Sequence, residues 1–257
     1  MSSMQNLSLL QSKLRAAGIH LLISALVASV ILLLMFYVWY PNGYFDFLGG
    51  GKIFYLITAV DVCLGPLLTF VVYKVGKKTL KFDLSVIGAL QLAALLYGVH
   101  VMFAARPVFN VFAIDLFKVT LASELTDTDL LAAKRPEWRS LSITGPIVVA
   151  ALGPTDPKER EEIMFAAVAG KDWNHFPKLY VDYQSQRDEV LKHAKPLSEL
   201  RKKSSRNPAV IDHFIAKQSK PESSFVYLPI VYAYIVKTAV LDSSTAEFVA
   251  IIDATDQ

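Results

Sequence analysis

Three long apolar runs occupy the first 105 residues, and shorter, mixed runs follow. Ile19 to Tyr40 contains no charge, has only His20, Ser24 and Ser29 as polar side chains, and ends in Phe36, Tyr37, Trp39 and Tyr40 before Pro41. Aromatic residues gathered at the end of such a run mark a membrane–water interface. Ile53 to Tyr73 is broken by one charge, Asp61, and by Gly65-Pro66, while Leu84 to Ala105 carries Gln91, Tyr97 and His100. Each run approaches the ~20 residues that a helix needs to cross ~30 Å of hydrocarbon. A cleaved signal peptide would want an apolar core of roughly 7 to 15 residues and a small-residue cleavage site. The first run continues instead into Trp39-Tyr40-Pro41, which predicts an uncleaved anchor.

Beyond Arg106 the pattern changes. Val108 to Leu121 alternates loosely, Ile147 to Leu152 is a short apolar run after Gly145-Pro146, and Phe225 to Leu241 with Phe248 to Ile252 flanks an Asp-Ser-Ser-Thr turn. These predict four strands, the last two forming a hairpin. Helix starts are expected at Asp156, with Pro157 next and Glu159 at the third helical position, and at Asn207, with Pro208 next. A third helix is expected over Asp182 to His193. Strand, helices, then strands argue for an antiparallel sheet with helices on one face. The expected fold class is thus an α-helical membrane region of three transmembrane helices (19–105), preceded by a short cytoplasmic N-terminus (1–18) and followed by an α+β extracytoplasmic domain with an antiparallel sheet (106–257).

Composition agrees with a membrane protein: 53% of the 257 residues are hydrophobic and mean hydropathy is +0.39. The charge is uneven. Residues 1 to 105 hold 7 basic and 3 acidic side chains, and residues 106 to 257 hold 19 and 20. Lys and Arg mark the cytoplasmic flanks of short loops. Lys13 and Arg15 precede the first run and Lys74, Lys77, Lys78 and Lys81 lie between the second and third, whereas the loop 41–52 has Lys52 against Asp46. The N-terminus is therefore expected inside and the C-terminal domain in the periplasm. Cations gathered in the apolar half do not make a nucleic-acid face. Cys63 is the only cysteine, so no disulfide within the chain can form.

Asp61 is the most informative residue, because an ionisable group inside a span costs roughly 2.5 to 3.5 kcal/mol on insertion and turns toward protein or water. Counted by depth in an antiparallel neighbour, Tyr97 or His100 is the expected hydrogen-bond donor to it. Pro66 removes a helix hydrogen bond, so a kink or a freed carbonyl is expected beside the acid. Small residues four apart, Ser24 with Ala28, Ala89 with Ala93 and Ala94 with Gly98, would let helices approach closely. The polar cluster either braces the helices of this chain or also receives the transmembrane helix of a partner. Catalytic chemistry is poorly represented. The histidines His20, His100, His175, His193 and His213 include no metal-ligand spacing, and no P-loop, GxSxG or GxGxxG occurs. Asp172 with His175, or Asp182 with Asp188 and Glu189, could be assembled into a site, but a helical or loop surface produces such groupings by chance. No catalytic residue, metal or cofactor is expected.

The block Val60-Asp61-Val62-Cys63-Leu64-Gly65-Pro66-Leu67-Leu68-Thr69-Phe70, with Asp83, Gln91, Ala94-Leu95-Leu96-Tyr97-Gly98, Ala105-Arg106-Pro107-Val108 and Asp115, resembles the TfpX/TfpZ family of type IV pilin accessory proteins. The motif residues cover about 40–120, and Gly145-Pro146 and Lys178-Leu179-Tyr180 add a weaker match. The resemblance implies a multi-pass protein of the bacterial inner membrane that supports pilin stability or pilus assembly in a chaperone-like way. Its implied partners are the major type IV pilin, through the pilin's transmembrane helix and periplasmic head, and the lipid bilayer. Motif and chemistry together single out Asp61, Gly65, Pro66, Gln91, Tyr97, Gly98, His100 and Arg106 for partner contact. No Gly followed by Phe-Thr-Leu-like residues and a Glu precedes the first run, so the chain is not expected to be a pilin. Two other classes stay open: an extracytoplasmic ligand sensor, for which residues 1–18 and 74–83 are too short to form an output module, and an envelope enzyme acting on lipid-linked glycan with Asp61, His100 and Arg106.

Overall fold

A computed structural model describes residues 2–168 and 170–254, with side chains from Leu7 onward. The chain divides into an N-terminal unit, residues 1–36 with 49–103, and a C-terminal unit, residues 37–48 with 104–257.

Among the described residues three helices are long and apolar enough to cross a membrane: Leu7–Trp39, Gly50–Val72 and Leu80–Ala104. The last residues of the first, Met35–Trp39, form a π-helical turn, and the second contains another over Val60–Leu64. The second helix starts at Gly50, three residues before the apolar run begins. The first helix packs along the second half of the second. Lys13 reaches over the Phe70 ring and donates to the Val71 carbonyl at 3.4 Å. The third helix meets the second at Gly98, where a side chain would run into Ile57.

Among the described residues the C-terminal unit has eight strands, β1 Pro107–Ala113, β2 Leu116–Leu121, β3 Ile147–Ala151, β4 Tyr180–Asp182, β5 Lys195–Pro196, β6 Phe225–Tyr232, β7 Ile235–Asp242 and β8 Phe248–Ile252. The order across the sheet is β4-β3-β1-β2-β6-β7-β8, with β5 on β6. The expected antiparallel sheet is corrected to a mixed one: β1 runs parallel to β3 and β2 parallel to β6. Residues 122–146 separate β2 from β3, and a connection of that length can cross over the sheet rather than turn back. Two of the four expected strands are hairpins. The run 108–121 folds at Ile114-Asp115, and the run 225–241 folds at Ala233-Tyr234. Ile114 and Ala233 take φ of 63° and 51°, left-handed conformations that glycine or asparagine usually supplies. The expected hairpin of the last two strands is present, β7 pairing antiparallel with β8.

The helices begin close to where capping chemistry places them. Pro157–Val168 follows Asp156, whose carbonyl and side chain accept from Arg160 and Lys158 N–H. Asn207–Ile215 starts at the expected residue, but Asn207 is its first residue, and its side chain bonds the Leu200 carbonyl at 2.6 Å instead of capping. The stretch 182–193 opens as a 3₁₀ turn and becomes α-helix only over Arg187–His193. One core gathers Phe109, Val111, Trp138, Ile163, Leu179 and Tyr180, and a second gathers Leu197, Leu200, Ile211, Phe214, Phe225 and Tyr227. The loop 37–48 belongs to this unit: Tyr44 stacks on Phe248 and Ile251 N–H donates to the Asn42 carbonyl at 2.8 Å. Gly43 lies so close to Ile251 that a Cβ would fall 2.6 Å from its carbonyl oxygen, and its φ of 94° suits only glycine.

Candidate functional site

Asp61 lies in the π-helical turn Val60–Leu64 and is 8% exposed. The turn and Pro66 act together. In π geometry the N–H of residue 66 would return to the carbonyl of residue 61, and proline has none, so the Asp61 carbonyl is released. Gln91 of the third helix takes it, its Nε2 donating to that carbonyl at 3.2 Å and to Asp61 Oδ1 at 3.5 Å. The freed carbonyl beside the acid is as expected, but the donor is Gln91 and not Tyr97 or His100. Tyr97 is 72% exposed and His100 is exposed as well. The second helix starts before its apolar run, which shifts the position that faces Asp61. Asp61 is eleven residues from the true helix start, Gly50, and eleven residues back from Ala104 is Ala93, half a turn from Gln91.

All three helices converge at Gly65. A methyl group there would run into the Gln91 amide and come 2.8 Å from His20 Nε2. On its other side the ring of His20 shares a 2.7 Å hydrogen bond between Nδ1 and Oγ1 of the buried Thr69. His20 and Thr69 are the members of the cluster that sequence reasoning did not select. Their signal was present, His20 being one of three polar side chains in the first run and Thr69 standing within the motif block. Gly98 packs against Ile57, so it serves helix approach. Arg106 belongs to the C-terminal unit, where it is buried and its Nε donates to the Ser142 carbonyl at 2.8 Å. Burial lowers the Arg106 pKa, and burial raises that of Tyr40 beside it.

The Asp61–Gln91 pair forms the floor of a groove of about 200 Å³ whose walls include Ile23, Ser24, Val27, Leu92 and Leu95. Gly88 lines it with open space where a side chain would be. Gln91 Oε1 is buried and has no hydrogen-bond partner among the described residues. In hydrocarbon an unmet polar group costs free energy that water cannot recover. Beside the Asp61 carboxylate that lines the groove, the buried Gln91 carbonyl oxygen is thus an acceptor that no donor meets.

The C-terminal unit has a polar concavity of about 330 Å³ lined by Lys118, Glu124, Asp172, His175 and Tyr232. Its groups are engaged with one another. Lys118 pairs with Asp172, Glu124 accepts the Leu121 N–H at 2.7 Å and lies 3.5 Å from His175 Nε2, and the Asp172 N–H donates to His175 Nδ1 at 3.1 Å. Burial, reinforced by the Glu124 carboxylate, pushes the Tyr232 phenol up to about 12. Asp172 and His175 are thus brought together, but as the two ends of a 3₁₀ turn. Asp182 caps Gln184 and pairs with Arg135, and Glu189 pairs with Lys192 and His193.

The family model described as fimbrial assembly protein FimB matches residues 8–49, the first apolar helix and the loop that follows it. The serogroup E1 fimbrial assembly protein of Dichelobacter nodosus is 36% identical over 187 residues, covering 72% of this chain and 72% of that protein. The serogroup I protein of the same organism matches to the same extent. The protein of serogroups C1 and C2 is 38% identical over 125 residues, 48% of this chain and 92% of its own length. No solved structure matches. The resemblance to pilus accessory proteins carried by the membrane motifs is borne out, and the chain belongs to the fimbrial assembly protein family.

Proposed function

We propose that this chain is a multi-pass accessory protein of the bacterial inner membrane that holds a membrane-resident type IV pilin by its transmembrane helix, in a chaperone-like and non-enzymatic role. Its N-terminus would lie in the cytoplasm and its C-terminal domain in the periplasm, as the Lys and Arg of the short loops argue. Relatives named as fimbrial assembly proteins support a part in assembly. The observation that carries the finer reading is the incompletely satisfied Asp61–Gln91 pair at the floor of an open groove. A cluster that only braced its own helices would close on itself. This one leaves the buried Gln91 carbonyl oxygen without a donor beside Asp61, next to Gly88, whose open space leaves room for another backbone. The complement is a helix bearing a hydroxyl or amide donor. In this reading Gly65, Pro66 and Gly98 shape the bundle, and the exposed Tyr97 and His100 extend the contact along the third helix. Arg106 anchors the first strand of the domain that would meet the pilin head.

The test uses Asp61→Asn and Asp61→Leu in the full chain. Capture of pilin from detergent-solubilised membranes, and surface piliation, should fall while the amount of this protein stays normal. If its own level drops and pilin loss merely follows in proportion, the cluster is a brace. Normal capture and piliation with both substitutions would overturn the proposal.

A further inference from the structure

Toward Arg15, and sharing His20 and Ile23 with the groove, lies a larger cavity of about 630 Å³. Ser12, Arg15, Thr69 and Tyr73 supply polar atoms to its lining, and Ile19, Ile23 and Leu84 supply an apolar wall. Arg15 makes no ion pair among the described residues. Asp83, the acid at the start of the third helix, is already held by Lys77 at 2.7 Å and by Thr79 at 3.1 Å. The cation is therefore left without an anion at the mouth of a cavity whose wall turns apolar within one helical turn, from Arg15 to Ile19.

We infer that this cavity binds one anionic phospholipid, with the phosphodiester headgroup on Arg15 and the first part of an acyl chain between Ile19, Ile23 and Leu84. Basic pockets between helices at the cytoplasmic face suit such headgroups, and the volume lies in the range of small-ligand sites, roughly 300–1,000 Å³. It takes a headgroup and the start of the chains, not a whole lipid. A free phosphate would satisfy Arg15 but leave the apolar wall uncovered, so the lipid is the occupant that uses both halves. The inference needs these helices to lie in a bilayer and is independent of whether a pilin is bound.

The full chain is placed in nanodiscs of equal parts phosphatidylglycerol and phosphatidylethanolamine, and lipid retained on release is counted by native mass spectrometry. One phosphatidylglycerol per chain should be retained in preference to phosphatidylethanolamine. Arg15→Gln should lower that retention about fivefold, the weight of one basic side chain near anionic lipid, and Arg15→Lys should restore most of it. Leu84→Trp, which fills the apolar half, should also lower retention, and Lys78→Gln in the neighbouring loop should not. Equal retention of the two lipids, equal loss with Lys78→Gln, or displacement by inorganic phosphate alone would overturn the inference.

Discussion

In the N-terminal unit large apolar side chains point outward, Leu22 being 72% exposed, whereas in the C-terminal unit Phe117, Ile230 and Leu241 are fully buried. Polar groups follow the opposite logic. In the C-terminal unit Asn174 donates to both the Val119 carbonyl and Thr120 Oγ1, and Asp242 accepts from Lys220, Ser244 and Thr245. The exceptions among the described residues are Asn110, buried in β1 with neither amide atom bonded, and the buried Tyr44 hydroxyl. In the helical unit the Asp61–Gln91 pair stays incompletely satisfied. A domain surrounded by water gains by hiding hydrocarbon and closing its polar networks. Helices surrounded by hydrocarbon gain nothing by hiding leucine, so close packing and hydrogen bonds must hold them together. An open polar pair therefore signals more in the helical unit than it would on the surface of the domain.

The contrast is sharpest in paired truncations. Phe117→Ala removes the ring at the centre of Phe112, Tyr183 and Phe248. It should cost the C-terminal unit about 3–5 kcal/mol, read as a lower midpoint in heat unfolding of the full chain followed by near-ultraviolet circular dichroism. Leu22→Ala, a cut of similar chemistry on the outward face, should change stability by no more than about 0.5 kcal/mol. Comparable losses from both would erase the distinction. Next in size is Gly98→Leu, which drives a side chain into Ile57 and should loosen the second and third helices by about 1–3 kcal/mol, seen as an earlier melt of the helical signal in detergent.

The smallest effect is electrostatic and belongs to the domain. Lys220, then the Ser244 and Thr245 groups, hold the Asp242 carboxyl well below the usual carboxylate range. A depressed pKa in the folded state means stability that is present above the unfolded value of about 4 and lost as pH falls below it. Acid should therefore lower the melting midpoint of the domain, and Asp242→Asn should flatten that dependence by less than about 1 kcal/mol, the ordinary range for an ion pair open to water on one side. An unchanged acid limb in the variant would show that other carboxylates set it.

Much of this architecture was legible because its signals are local. Long apolar runs marked the helices able to cross a membrane, and Asp156-Pro157 marked a helix start. What escaped reading depended on partners distant in sequence or on costly backbone. Nothing in Ile114-Asp115 or Ala233-Tyr234 announces a two-residue turn, since the favoured glycine and asparagine are missing and the positive φ must be enforced by the strands on either side. Parallel pairing of β1 with β3 has no signature in either strand alone. In the candidate site Asp61, Gly65 and Pro66 could be read from one helix, but Gln91 as the partner depended on where two other helix ends fall.

The hydrogen bond from Ile251 to Asn42 joins positions 209 residues apart. A ribosome releases Asn42 near the beginning of synthesis and Ile251 near the end, so the loop 37–48 waits for its partner strand while nearly all the rest of the chain is made. Closure of that edge is thus a late event in biogenesis. A chain halted before β8 would carry its helices and most of its sheet, yet leave Tyr44 without Phe248 to stack on and the Asn42 carbonyl without its donor.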